Sequence, residues 1–223
     1  MRKSIISILL AAILLGMFAC SGTSASEQMI VKYDIALTRV RKASDINQRY
    51  QAPVADTLDQ VRYVYEDDLF RSLWSASESG WDLTLYNKSE KTLTIDWDEA
   101  VYMDVDRIGR GVLSSTTKYA DRNNPQTPTV VARRGNISES LFSKDHVYQS
   151  TTGVWTKRPL FPIDFSEAER YKNKTVSLIV PFTVDGLIAQ YEFIFTIKDV
   201  QQVPSTSNPW RLYLLDRTLG VNF

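Results

Sequence analysis

The sequence is poor in the residues from which catalytic and metal sites are usually built. It has one cysteine and one histidine in 223 residues. With Cys20 alone, no intramolecular disulfide can form. With His146 alone, nothing supplies the several His and Cys ligands that zinc sites draw on. No Gly-x-Ser-x-Gly elbow accompanies the serines, so His146 reads as a surface-loop histidine rather than one member of a Ser-His-Asp triad. Charge of one sign is lacking as well. Without Arg2 and Lys3, 24 basic side chains stand against 26 acidic ones, and no basic surplus is left to attract nucleic acid or anionic headgroups. Helix-length amphipathic segments do not alternate with the strand-like ones, which argues against a parallel α/β fold. No internal repeat is visible, and no apolar run after the first 20 residues is long enough to cross a bilayer.

What is present begins at the N-terminus. Arg2 and Lys3 precede an apolar run from Ile5 to Leu15. The run falls short of the roughly 20 apolar residues of a spanning helix, and its length and flanks predict a secretory signal peptide. The stretch Leu15-Gly16-Met17-Phe18-Ala19-Cys20 resembles the lipobox of bacterial lipoproteins, with an apolar residue three before the cysteine and a small one immediately before it. The resemblance implies diacylglycerol on the Cys20 thiol, cleavage before Cys20, and acylation of the new amine by a fatty acid such as palmitate. Several acyl chains on one residue give stable anchoring, where one chain gives only marginal binding. By the sorting rule of such lipoproteins, Ser21 in place of Asp implies the outer membrane. The small polar run Ser21 to Ser26 reads as a flexible tether. The chain thus divides into a signal peptide (1–19), a lipidated cysteine and tether (20–28), and a single domain (29–223).

Period-two alternation dominates that domain and predicts half-buried strands. Val31, Tyr33, Ile35 and Leu37 form one apolar phase. Val61, Tyr63 and Tyr65 form a second; Trp81, Leu83 and Leu85 a third; Leu93, Ile95 and Trp97 a fourth; Val101, Met103 and Val105 a fifth. Residues Asn87 to Lys91 read as a hairpin loop between the third and fourth. Asp185-Gly186 between two apolar alternating runs is the strongest hairpin signal in the chain. With these as the turn, Val184 pairs Leu187, Phe182 pairs Ala189, Val180 pairs Tyr191, Leu178 pairs Phe193 and Val176 pairs Phe195, all on one face. Pro181 then has no N–H for a second neighbour, which predicts a local sheet edge along Val176 to Val184. The stretch from Ser114 to Phe165 reads as long connections with one or two short strands. Helix is confined to a turn or two at Asp45 to Gln51 and at Ser166 to Lys172, where Ser166 and Glu169 match a capping box. A last strand is expected over Arg211 to Leu215. Seven or more short strands with turns between them predict an all-β, immunoglobulin-like antiparallel sandwich with long loops and little helix.

Two further clusters carry alternatives. Asp104-Val105-Asp106-Arg107-Ile108-Gly109 begins like a calcium loop, but Ile108 stands where an oxygen ligand belongs and Ser115 where a Glu should close the shell. A turn that needs Gly109 is the better reading, with some other calcium site built from Asp96, Asp98, Glu99, Asp104 and Asp106 as the alternative. The five tryptophans and 11 tyrosines offer a carbohydrate-stacking platform if exposed. Trp81 and Trp97 fall on core phases, whereas Trp74, Trp155 and Trp210 lie in less regular segments. The stretch from Leu83 to Trp97 is similar to a pattern of extracytoplasmic immunoglobulin-like domains, including those of bacterial envelope lipoproteins, and that resemblance implies no activity. The expectation is therefore a non-catalytic, lipid-anchored envelope protein without cofactor or metal. Its partners would be the membrane and another envelope protein, with a surface glycan or peptidoglycan as the alternative ligand and no nucleic acid.

Overall fold

The computed structural model describes residues 28–42 and 62–205. Cys20, the segments 45–51 and 211–215, and Trp210 lie outside the described residues. The strands are β1 (Met29–Lys42), β2 (Arg62–Glu66), β3 (Phe70–Ala76), β4 (Trp81–Asn87), β5 (Leu93–Ile95), β6 (Val101–Met103), β7 (Gly109–Ser114), β8 (Thr129–Val131), β9 (Asn136–Ser143), β10 (Val147–Gln149), β11 (Trp155–Lys157), β12 (Thr175–Val184) and β13 (Leu187–Pro204). Every strand pairing among them is antiparallel. Helix is limited to α1 (Phe165–Ala168) and short 3-10 turns. The described chain is thus an all-β antiparallel sandwich with little helix, as the alternation predicts.

The main path of hydrogen-bonded neighbours runs β1-β13-β12-β6-β7-β9-β4-β3-β2, with β5 and β8 branching from β12. The strand β7 turns the corner between two layers. Its first half, Gly109 to Gly111, pairs β6, and its second half, Val112 to Ser114, pairs β9. Aromatic side chains fill the space between the layers. Trp81 meets Phe195 at 4.1 Å between ring centroids, Trp74 meets Phe193 at 4.7 Å, and Phe70 stacks on Phe182 at 4.7 Å. Each such ring buries a large apolar surface, worth roughly 1.5–3 kcal/mol per side chain. The two ends of the path, β1 and β2, approach without a ladder. The Tyr63 hydroxyl donates to the Ile35 carbonyl and bridges them. The sandwich is therefore close to a closed barrel.

The β12–β13 hairpin has the register read from Asp185-Gly186, pair for pair from Val184 with Leu187 to Val176 with Phe195. Both turn residues have positive φ, 50° and 78°, as the tight primed hairpin turns require at their first position or at both. The expected sheet edge is corrected in part. The strand β12 is an interior strand, with β6 against Ser177 to Ile179 and β5 against Phe182 and Thr183. Between these two contacts, Val180 and Pro181 lack a neighbour on that side. Opposite them the chain bulges: the five residues Asp96 to Ala100 separate β5 from β6 where β12 has only two. A proline without an N–H is tolerated at this break in the ladder.

The bulge has two consequences. It turns Trp97 and Ala100 inward, both buried. It also reverses the phase that follows, so Tyr102 is buried while Val101 and Met103 are half-exposed. The expected inward phase at Val101 and Met103 is thus wrong, because an irregular insertion exchanges the two faces of a strand. The expected hairpin at Asn87 to Lys91 is also corrected. The strand β4 pairs β3 and β9, whereas β5 pairs β12 and β8. The loop crosses from one layer to the other. Asn87 is buried and holds that crossing. Its amide nitrogen donates to the carbonyls of Lys91 (2.7 Å), Ala132 (3.0 Å) and Val131 (3.3 Å), and its oxygen accepts from the Ser89 N–H (2.9 Å) and hydroxyl (2.7 Å).

The region from Ser114 to Phe165 holds more strand than expected, including the eight-residue β9. The small β10–β11 pair folds over the outer face of β7 and β9, where Val147 and Trp155 pack on Leu113 and Phe142. The chain then returns as a cap on one end of the sandwich. Leu160 and Phe161 are buried there, and the Tyr33 hydroxyl donates to the Pro162 carbonyl at 2.7 Å. Helix α1 starts two residues earlier than the Ser166–Glu169 box predicts. Asp164 is the cap, accepting from the Glu167 N–H at 3.1 Å, because an aspartate that precedes the first helical residue competes better for that donor.

Candidate functional site

The hairpin end of the sandwich carries an uncharged, outward-facing row. Thr94 pairs Val130 on one side and Thr183 on the other, and Thr183 pairs Ile188. These four residues cross β8, β5, β12 and β13 in one line. Their neighbours Ile95, Val131 and Phe182 point inward and are fully buried. Alternation therefore puts Val130 and Ile188 outward, where polar residues are the rule. They are 62% and 65% exposed, and Leu187 at the tip is 77% exposed. Beside the tip, Lys91 pairs with Asp185. Among the described residues β8 pairs only with β5, and its Val131 carbonyl accepts from the Asn87 amide. Exposed apolar side chains in such a row suit contact with another apolar surface.

The residues singled out in the sequence sit elsewhere. His146 is half-buried beside Arg110, Arg158, Asp145 and Asp104. Its Nδ1 is buried without a hydrogen-bond partner. Burial and the two guanidinium groups lower its pKa and keep the ring neutral. It makes no hydrogen bond to a serine among the described residues, so no Ser-His-Asp arrangement is assembled there.

The acidic stretch is tied up internally. Burial works to raise the Asp98 carboxyl, but the Gln126 N–H at 2.8 Å and the Lys144 ammonium at 3.0 Å outweigh it and hold it below the ordinary range. Burial acts the same way on Asp104 and is outweighed by the Ile108 N–H (2.9 Å), the Asp106 N–H (3.0 Å) and Arg110 (3.0 Å). Asp96 accepts from the Asp98 N–H at 3.0 Å. No group of three or more His, Cys, Asp or Glu side chains that could hold a metal occurs among the described residues. In the Asp104 to Gly109 turn the positive φ belongs to Arg107, 66°, and not to Gly109. Gly109 instead meets Val101 and Met103, which a Cβ would approach at 3.3 Å. Of the tryptophans, Trp74, Trp81 and Trp97 are buried. Trp74 therefore does not belong to an exposed platform. Trp155 is half-buried, with the Arg122 guanidinium 4.8 Å from its ring centroid.

One polar cluster escapes a reading of the sequence. Glu139 on β9 is buried inside the sandwich. Its carboxylate accepts from the hydroxyls of Ser114 (2.8 Å), Ser115 (3.0 Å) and Thr129 (3.2 Å). The Trp97 Nε1–H donates to Thr129 Oγ1 at 2.8 Å, and the Gln126 side chain bonds both Asp98 and the Val112 carbonyl. Buried charge is tolerated when hydrogen bonds replace water. Here they also tie β7, β8, β9 and the bulge together. The only hint in the sequence is that Glu139 shares the period-two phase of Ile137 and Leu141, against the usual preference of a carboxylate for water.

No helix among the described residues is long and apolar enough to cross a membrane. A scan against protein-family models, a search of curated proteins and a search of solved structures each returned no match.

Proposed function

We infer that this chain is a lipid-anchored, non-catalytic protein of the cell envelope, sorted to the outer membrane, that works by binding another protein. The observation that carries the anchor is the order of Arg2-Lys3, the Ile5 to Leu15 run, Ala19 and the sole cysteine, Cys20. A thiol consumed by a lipid also accounts for a single cysteine in an exported chain. The binding role draws on the Val130, Thr94, Thr183, Ile188 row and the Leu187 tip, which leave apolar side chains in water at one end. Met29 pairs Pro204, and β13 begins at Leu187, so the row lies on the order of 50 Å along the ladder from the tethered end. An anchored protein with that layout holds its contact surface away from its own bilayer.

The alternative reading, a binder of glycan or peptidoglycan, draws on fewer aromatics now that Trp74, Trp81 and Trp97 belong to the core. The test has two arms. Cys20→Ala should release the protein from membranes, and mass spectrometry of the native protein should find an acylated N-terminal cysteine. A photo-crosslinking residue at position 188 or 130 should capture one envelope protein in stoichiometric yield. A variant that stays membrane-bound ends the anchor reading, and capture of glycan alone ends the protein-partner reading.

A further inference from the structure

The anchored end has its own exposed apolar side chains, and they differ in origin from those at the hairpin end. Met29, Ile108 and Ile163 are 44%, 52% and 75% exposed. The pairings place Met29 and Ile163 toward the Pro204 end of β13, with Ile108 nearer the Ile197 level. Met29 is the first residue of β1 and pairs Pro204, at the far end of β13 from the hairpin turn. Ile163 follows Pro162, whose carbonyl is held by Tyr33 near the start of β1. Ile108 lies in the β6–β7 turn, which the Asp106–Lys174 contact ties to the start of β12. The Ile197 N–H donates to the Lys174 carbonyl and so fixes that level of β13. The capping segment spans the same end: Phe161 packs on Tyr33 at 4.8 Å and on Tyr171 at 6.4 Å between ring centroids. Leu160 and Phe161 point into the sandwich, whereas Ile163, two residues on, points out.

We propose that this end, with Ile163 foremost, rests on the phospholipid surface and dips its apolar side chains into the headgroup region. The proposal builds on the anchor reading. Only the eight residues Ser21 to Gln28 separate Cys20 from Met29. Fully extended, the nine steps from Cys20 to Met29 reach at most roughly 32 Å, less than the length of the β1–β13 ribbon. The anchor reading therefore keeps the Met29 end near the bilayer. Flanking side chains of both signs, with Arg107, Arg170 and Lys174 among the basic ones, suit the headgroup zone. Apolar side chains at the interface add their burial to that of the acyl chains.

The test uses the mature lipidated protein in phosphatidylcholine–phosphatidylglycerol vesicles. Acylation leaves no free thiol, so a cysteine introduced as Ile163→Cys takes an environment-sensitive fluorophore at one place. The expected result is blue-shifted emission, quenched by spin-labelled lipid, from Ile163→Cys and from Ile108→Cys. Ile188→Cys should keep water-like emission. Emission from position 163 as water-like as that from position 188 overturns the proposal while leaving the anchor intact. Stoichiometric labelling of the protein without an introduced cysteine shows a free Cys20. It overturns the anchor reading and the proposal with it.

Discussion

Asn87 gives the sharpest test of how the two layers are joined. Its amide nitrogen serves three backbone carbonyls, Lys91 in the crossing between β4 and β5 and Val131 and Ala132 at the end of β8, and its oxygen serves two donors of Ser89. The Lys91 and Ala132 bonds are short, and the longer Val131 bond shares a hydrogen. Replacement by alanine removes these bonds at a site with no exposed surface, although the Lys91 carbonyl keeps the Ser89 hydroxyl (3.0 Å) and the Ala132 carbonyl keeps the Gly135 N–H (2.9 Å). With no carbonyl left wholly unmet at these two positions, Asn87→Ala should cost roughly 1–2 kcal/mol. For a domain of this size that is a fall of about 5 °C in Tm. Asn87→Asp separates donor from acceptor. It keeps the oxygen that serves Ser89 but turns a second oxygen toward three carbonyl oxygens, so it should cost at least as much as alanine. Guanidinium unfolding followed by tryptophan fluorescence measures both, with an unchanged slope marking a pure stability effect. If Asn87→Asp lies within about 0.5 kcal/mol of wild type, the donor argument is refuted.

Two other perturbations follow from local geometry. A Cβ at Gly80 would stand 2.3 Å from the Leu141 carbonyl oxygen and 2.7 Å from the Phe142 ring. Gly80→Ala should therefore force β4 and β9 apart and lower stability by about 2–3 kcal/mol, read from a thermal melt. His146 has a folded pKa below its unfolded value of about 6.5. The unfolded chain thus binds the proton more readily, and stability falls as pH drops through about 6.5 toward the lower folded value. His146→Gln should flatten that part of a stability–pH profile, and an unchanged slope would remove His146 as its cause.

Where local chemistry decided the structure, the sequence could be read. The Asp185-Gly186 turn leaves the hairpin one register that buries Phe182, Tyr191, Phe193 and Phe195 together. The phase of β4 was equally legible, since Trp81, Leu83 and Leu85 are buried and Asp82, Thr84 and Tyr86 are not. Pro181 marked a missing ladder contact but not that the partner strand would bulge around it. That needs knowledge of β5 and β6, which lie about 80 residues earlier. The β9 strand was hidden because its last residues are buried from both sides. Leu141 faces the core, and Phe142 faces the β10–β11 pair. Glu139 broke the rule that carboxylates point outward because its hydroxyl partners come from β7, β8 and the residue after β7. The exposed row was only half legible. The hairpin register puts Ile188 on the face opposite Phe182, but only the pairing of β5 with β8 and β12 brings Val130 into line with it.

The pairing of β1 with β13 joins the first described strand to the last, Met29 to Pro204. Loop closure over so many residues is slow, because chain entropy is lost before any contact rewards it. During synthesis, β1 must wait for residues 187–204 to emerge before its neighbour exists. The β1 edge of the sheet is therefore completed only after all the other described strands have been made.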